Sequence, residues 1–223
     1  MSRFKKQSGF TIVELTIATS VFAVVLLAAQ TGFVEIGRLF YKGVSTTQTQ
    51  QTASNILTDI KSNIQTAASI SLQTSGNGYT YYCVGHTRYT VNINHEVDLS
   101  NPETYGSGGN FGLLRDTLTG SNACAAPCDP SGACPAGTVA LNSPSEMLGN
   151  KMRLMQFSIN QPDSAASPNL YNVSLIAVYG DNGVLSYTNQ NDITTVYCNG
   201  SLNTGQFCSV SRLNSSVFSG VGA

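Results

Sequence analysis

SGFTIVELTIATSVFAVVLLAA, residues 8–29, decides how this chain is organised. From Phe10 to Ala29 the only charged residue is Glu14. About 20 helical residues at ~1.5 Å each span the ~30 Å hydrocarbon core of a bilayer. The short start before Phe10 has no acid and three basic residues, which are Arg3, Lys5 and Lys6. By the positive-inside rule, this pattern favours a cytoplasmic N-terminus and an exported remainder.

The carboxylate of Glu14 is costly in such a segment. A charge at the bilayer centre costs roughly 2.5–3.5 kcal/mol on insertion scales, and less near the interface. A secretory signal peptide has an apolar core of about 7–15 residues that ends at a small-x-small site. This run is longer, and Leu27-Ala28-Ala29 is a poor cleavage site. A plain single-pass anchor fits the length but explains neither the Gly9–Phe10 junction nor the acid that follows it.

The string Ser8-Gly9-Phe10-Thr11-Ile12-Val13-Glu14-Leu15 resembles the class III signal of type IV prepilins and pseudopilins. The resemblance implies cleavage after Gly9 by a prepilin peptidase and N-methylation of Phe10. It also implies that Glu14 pairs with the terminal amine of a neighbouring subunit.

The same resemblance implies partners and a location. Membrane lipid surrounds the helix before assembly, an inner-membrane assembly platform takes up the subunit, and other pilin subunits then pack through their N-terminal helices. The expected protein is a single-pass membrane protein with its head outside the cytoplasm, and later part of an extracellular pilus or a periplasmic pseudopilus.

Charge and composition agree with export. The 223 residues contain 11 basic and 12 acidic side chains, and charged residues make up 10% of the chain. Removal of the leader takes away three basic residues, so the mature chain is acidic. Nucleic-acid binding is therefore not favoured, although the sequence does not exclude a local basic cluster formed by Arg88, Lys151, Arg153 and Arg212.

The six cysteines form an even set on the exported side, where disulfides persist. A zinc site is disfavoured, because the spacings Cys-x3-Cys-x5-Cys and Cys-x9-Cys lack paired Cys-x2-Cys clusters. Cys198 and Cys208 flank a Gly- and Asn-rich turn with no other cysteine nearby, which favours this pair. Fifteen pairings of six cysteines are possible. For the remaining four the sequence only weakly favours Cys83 with Cys124 and Cys128 with Cys134.

A second, amphipathic helical segment is predicted at 44–69. Its apolar residues recur at three- and four-residue steps and share one face: Ala53, Ile56, Leu57, Ile60, Ile64, Ala67 and Ala68. Three glycines, Gly32, Gly37 and Gly43, predict a bend or loosening before this segment, because each costs roughly 1 kcal/mol relative to alanine.

The rest of the chain predicts a β-rich head. Candidate strands are Tyr79–Val84, Arg88–Ile93, Phe111–Thr117, Met152–Ile159 and Tyr171–Tyr179, with a helical turn at Glu146–Lys151. The expected organisation is a cleaved leader at 1–9, an N-terminal helix at 10–70 with its transmembrane and polymerisation segment at 10–29, and an exported head at 71–223. The fold class is α+β, a pilin fold in which the long helix packs on an antiparallel sheet with disulfide-bounded loops.

The expected function is a structural and assembly subunit of a type IV pilus or related filament. The outline of the head is similar to minor subunits at filament tips, the PilW-like minor pilins and the J-like pseudopilins of type II secretion. Alternatives are a type II secretion pseudopilin, a DNA-uptake or adhesin minor pilin, and an exported membrane-anchored protein that does not polymerise. No enzymatic activity, catalytic residue, metal or cofactor is predicted. His86 and His95 match no catalytic motif, and Asp181, Asn182 and Asp192 lack the regular spacing of calcium ligands.

Overall fold

One long helix precedes a set of β-strands in the computed structural model, which describes residues 9–76, 79–100, 110–119, 124–128, 134–162, 169–189, 191–199 and 207–220. The helix α1 runs from Ile12 to Thr66. The strands are β1 Ile70–Gly76, β2 Tyr79–Val84, β3 Thr87–Val91, β4 Leu113–Thr117, β5 Ala126–Cys128, β6 Thr138–Ala140, β7 Ser145–Glu146, β8 Met152–Asn160, β9 Leu170–Tyr179, β10 Leu185–Tyr187, β11 Val196–Cys198 and β12 Ser209–Phe218. The chain divides into two units, Met1–Tyr41 and Lys42–Ala223.

The second unit contains two main antiparallel sheets. The first has the strand order β1-β2-β3-β4-β7 and the second β12-β9-β8. Isolated bridges from Ile93 to Leu154 and from Glu96 to Arg153 join the segment after β3 to β8. The small pairs β10-β11 and β5-β6 complete the described strands, and β5-β6 is parallel. The α+β pilin fold predicted from the sequence is confirmed.

The main core forms where the second half of α1 meets these sheets. Ala53, Ile56, Ile60 and Ile64 are at most 1% exposed and share a cluster with residues of β2, β3, β8 and β9. Burying one such isoleucine stabilises the fold by roughly 1.5–3 kcal/mol. The buried stripe starts earlier than predicted, because Ser45 and Thr49 are buried as well. The hydroxyl of Thr49 donates to the carbonyl of Ser45 at 2.7 Å, so this buried hydroxyl has a hydrogen-bond partner within the helix.

The helix is continuous through Gly32, Gly37 and Gly43, since isolated glycines weaken a helix without breaking its hydrogen-bond ladder, and the predicted bend there stays a prediction. Two other local predictions were wrong. Ala68 is exposed, because the helix ends at Thr66 and the helical spacing no longer applies there.

The predicted turn at Glu146–Lys151 is not helical either. Its first residue belongs to β7 and pairs with Leu114 of β4. A tight turn follows, closed by the amide of Met152 donating to the carbonyl of Gly149 at 3.1 Å.

Candidate functional site

The first turn of α1 is closed by a reciprocal pair of hydrogen bonds. The backbone amide and the hydroxyl of Thr11 each donate to Oε2 of Glu14 at 2.9 Å. The amide of Glu14 in turn donates to the hydroxyl of Thr11 at 3.2 Å. Because α1 begins at Ile12, Thr11 is the N-cap and Glu14 the third helical residue, which is the geometry of a capping box.

This cap gives Glu14 a local role that sequence reasoning missed. A carboxylate at the N-terminus of a helix is favoured by the helix dipole and by the unpaired amides of the first turn. The signal was present in the sequence as Thr-x-x-Glu ahead of an apolar run. The structure thus holds the carboxylate at the start of the helix, next to the Gly9–Phe10 junction.

A mainly apolar surface follows the cap, with Gln30, Thr31 and Glu35 as exposed polar residues toward its far end. All residues from Gly9 to Ile36 are exposed, as are Leu39, Phe40 and Tyr41. Phe10 is 85% and Phe33 76% exposed. Ile12–Thr66 is the one helix within the described residues that is long and apolar enough to cross a membrane, and its most apolar window has a mean hydropathy of 2.3 and no buried residue. A surface of this kind requires lipid or other protein chains around it.

Comparison with known proteins bears on this segment. A family described as "Prokaryotic N-terminal methylation motif" matches residues 4–30. The chain carries a prepilin-type N-terminal methylation motif. The match supports a type IV pilin-like subunit that is processed at its N-terminus and anchored in the membrane by its apolar helix. No curated protein and no solved structure shows significant similarity to the chain.

The six cysteines of this pilin-like chain form three disulfides. The structure brings together Cys198 with Cys208, Cys83 with Cys124 and Cys128 with Cys134, at Cα–Cα distances of 5.6, 5.7 and 5.6 Å. These are the pairs that the sequence favoured. The Cys83–Cys124 bond joins the buried strand β2 to the segment that leads into β5.

A buried ion pair fixes the same segment. Nε and one amino group of Arg88 donate to the two carboxylate oxygens of Asp116 at 3.0 and 2.7 Å, and both side chains are fully buried. The other amino group of Arg88 donates to the carbonyls of Ala125 at 2.9 Å and Val139 at 3.2 Å. Arg88 therefore holds β5 and β6 against the first sheet.

The basic cluster considered from sequence is not an exposed patch. Arg88 and Arg153 are 0% and 2% exposed, and Arg153 donates to Glu96 and Asn182. Arg212 donates to the carbonyl of Val196. Arg88 and Arg153 thus bind inside the head, and only Lys151 and Arg212 of the four are exposed, so the cluster gives no support to nucleic-acid binding.

The other residues singled out from the sequence are dispersed. His95 lies 3.4 Å from the side chain of Asn110, whereas His86 is in the β2–β3 turn. Asp192 caps a short 3-10 turn through Thr194, and Asp181 lies 3.9 Å from the amine of Lys151. Among the described residues no three His, Cys, Asp or Glu side chains come together as a metal site.

Polar contacts also fix α1 to the first sheet. The hydroxyl of Tyr89 donates to Oδ2 of Asp59 at 2.8 Å and accepts from the side-chain amide of Asn63 at 2.6 Å. Arg115 lies 3.3 Å from the same carboxylate. Burial, followed by the neighbouring Asp59, raises the pKa of Tyr89, so the phenol stays protonated and remains a donor.

Proposed function

We propose that this chain is a minor subunit of a type IV pilus or a closely related filament. It is cleaved after Gly9, methylated at Phe10 and polymerised through the first half of α1. The observation that carries the proposal is the methylation motif at residues 4–30 at the start of a helix with a fully exposed apolar surface. We propose a structural role and no enzymatic activity.

Exposed apolar side chains beyond the predicted transmembrane segment favour polymerisation over simple anchoring. The helical residues 12–41 extend over ~45 Å at ~1.5 Å per residue, whereas a bilayer core is ~30 Å thick. Phe33, Ile36 and Phe40 are 66–76% exposed beyond the predicted transmembrane segment. An isolated anchor would leave these side chains near water, whereas the helices of neighbouring subunits would cover them.

The position of Glu14 also supports assembly. Thr11 holds its carboxylate at the start of the helix. Thr11 directly follows Phe10, and cleavage after Gly9 would free the amine of Phe10. The partner in a filament would be the Phe10 amine of an adjacent subunit. Two charges that are costly apart would then neutralise each other in an apolar bundle.

The proposal that the chain is a minor rather than a major subunit rests on the order of elements in the head. A hairpin, the Leu113-Leu114-Arg115-Asp116 strand, a cysteine-bearing loop and two further strands follow in the order expected of larger tip subunits. A type II secretion pseudopilin is the second candidate, because it would use the same motif and helix. A DNA-uptake or adhesin subunit and a non-polymerising anchor are the remaining alternatives.

Glu14→Gln separates capping from charge pairing. Glutamine can close a capping box, but it carries no charge for a neighbouring amine. We expect Glu14→Gln to keep helix content and membrane insertion while lowering the amount of subunit in sheared filaments by about tenfold or more, the loss of one charged hydrogen bond. Thr11→Ser is the matched control, because serine retains the cap and the charge at Glu14 is unchanged.

The measurement is the ratio of this subunit in filament and membrane fractions of cells that assemble the filament. Equal incorporation of Glu14→Gln and wild type would refute the proposal that Glu14 pairs with the amine of a neighbouring subunit. Loss of incorporation by Thr11→Val but not by Glu14→Gln would show that the cap alone matters.

A further inference from the structure

A polar cleft lies where the segment after β3 meets the start of β8. Its volume is about 460 Å³, within the ~300–1,000 Å³ typical of small-molecule sites. Most of its wall is formed by amide and charged side chains, including Asn94, Glu96, Asn150, Lys151, Arg153 and Asn182. The one aliphatic residue of the lining, Val97, is 1% exposed. The cleft thus offers hydrogen-bond donors and acceptors from most of the residues that line it.

The cleft is held rigidly by main-chain bonds. The amides of Asn94 and Val97 donate to the carbonyls of Leu154 and Met152 at 2.8 and 2.9 Å, and the amide of Lys151 donates to the carbonyl of Val97 at 2.9 Å. These bonds fasten one wall to β8. A wall that is already ordered loses little conformational entropy when it binds a ligand.

Two lining residues have a left-handed backbone. Asn94 and Lys151 both have φ of 60°, a region that asparagine adopts readily but that is unusual for a side chain as long as lysine. Such conformations persist where the surrounding structure imposes them, and they concentrate at binding sites.

Arg153 positions the polar groups on the floor of the cleft. Its side chain is almost completely buried and donates to the carboxylate of Glu96 and the side-chain oxygen of Asn182. Its Nε has no hydrogen-bond partner within the described residues. An arginine buried with one donor unpaired is expensive for stability alone, since an unsatisfied buried donor costs ~1–3 kcal/mol.

The charges of the cleft argue against an ionic ligand. The cleft is lined by two acids, Glu96 and Asp98, and two bases, Lys151 and Arg153, so it has no excess of positive charge for a phosphate or sulfate. The described residues also contain no group of three His, Cys, Asp or Glu for a metal ion.

We propose that this cleft binds a neutral saccharide through the hydroxyl groups of one or two sugar rings. Sugar hydroxyls both donate and accept hydrogen bonds, as side-chain amides do. The oxygens of Asn150 and Asn182 already accept from Leu99 and Arg153, so these two residues would serve the ligand mainly as donors, and Asn94 as donor and acceptor. The proposal does not depend on filament assembly, because every residue it uses lies in the second unit of the chain.

The test is saturation-transfer NMR on the full chain in a zwitterionic detergent, since glycoside detergents would compete. The probes are galactose, mannose and N-acetylglucosamine with disaccharides that contain them. We expect saturable binding of at least one probe. Tighter binding of a disaccharide than of its monosaccharide would indicate that the natural ligand is a glycan chain. Equal binding of the two would indicate a free sugar.

Two variants make the test specific to the cleft. Asn94→Gly and Lys151→Gly each remove a lining side chain at a position where glycine adopts φ of 60° without strain, so the fold is retained. We expect Asn94→Gly to weaken binding about five- to tenfold, the loss of one or two hydrogen bonds. Asn214→Ala, which removes an exposed amide on β12 outside the cleft, should bind as wild type does.

Two results would overturn the proposal. One is the absence of saturable binding for every probe at concentrations at which the wild-type protein remains folded. The other is binding that Asn94→Gly and Lys151→Gly leave unchanged, because the sugar would then contact another surface.

Discussion

Removal of the negative charge of Asp116 should destabilise the head more than removal of a charge from any exposed side chain. Asp116→Asn keeps the shape of the side chain but leaves the guanidinium of Arg88 buried without a counter-ion, and both side chains are 0% exposed. Breaking a buried pair from one side costs about 3–5 kcal/mol. The amide of Asn142, which donates to Oδ2 of Asp116 at 3.2 Å, would lose a charged acceptor as well. We therefore expect the upper part of that range.

The control is the exposed pair of Lys151 and Asp181, whose side chains are 54% and 68% exposed. Asp181→Asn should change the free energy of unfolding by less than about 1 kcal/mol. Urea unfolding of the full chain in detergent, followed by the near-ultraviolet circular dichroism of tyrosine, measures both variants. Equal, small effects of Asp116→Asn and Asp181→Asn would show that Arg88 and Asp116 do not form a desolvated pair.

Three further predictions concern the head. Burial raises the pKa of Glu146 above its ordinary 4.5. The free energy of unfolding should therefore fall as the pH rises from about 4.5 through the raised pKa of the folded state. Glu146→Gln should lack this pH-dependent loss when unfolding free energies are measured across the same pH range. Replacing Cys198 and Cys208 together by serine should cost about 2–5 kcal/mol in the same urea assay, and an unchanged midpoint would mean that their bond does not constrain the unfolded chain. Ile60→Ala should cost about 2–5 kcal/mol, because this side chain is fully buried between helix and sheets, whereas the exposed Leu39→Ala should leave head unfolding unchanged.

The parts of the fold that were predictable have a periodic signal. The stripe from Ala53 to Ile64 repeats at helical spacing, and the β2–β3 hairpin has β-branched and aromatic residues around Gly85, whose φ of +60° suits a tight turn. Strand β12 was missed, because four of the ten residues of Ser209–Phe218 are serines and two of these, Ser209 and Ser211, take buried positions, so no alternating apolar pattern is visible. It forms because all of its residues pair in register with β9, a long-range contact that local sequence does not encode.

The candidate sites also divide into those with a local sequence signal and those formed by long-range contacts. Gly9, Phe10 and Glu14 are recognisable because the chemistry of processing acts on a contiguous string. The polar cleft could not be predicted, because Asn94 and Lys151 are far apart in sequence and long-range bridges and main-chain hydrogen bonds to β8 bring their segments together. Arg88 carried no sequence signal of burial, since its partner Asp116 comes from the next strand in the sheet.

The most direct test of the central claim is the intact mass and N-terminal sequence of the subunit in two fractions, sheared filaments and membranes. We expect filaments to contain a chain that begins at Phe10 with a methylated amine, and we expect Gly9→Leu to block cleavage and leave the subunit in the membrane. Filaments containing subunits that retain residues 1–9, or a mature chain that never leaves the membrane in cells with abundant filaments, would contradict it.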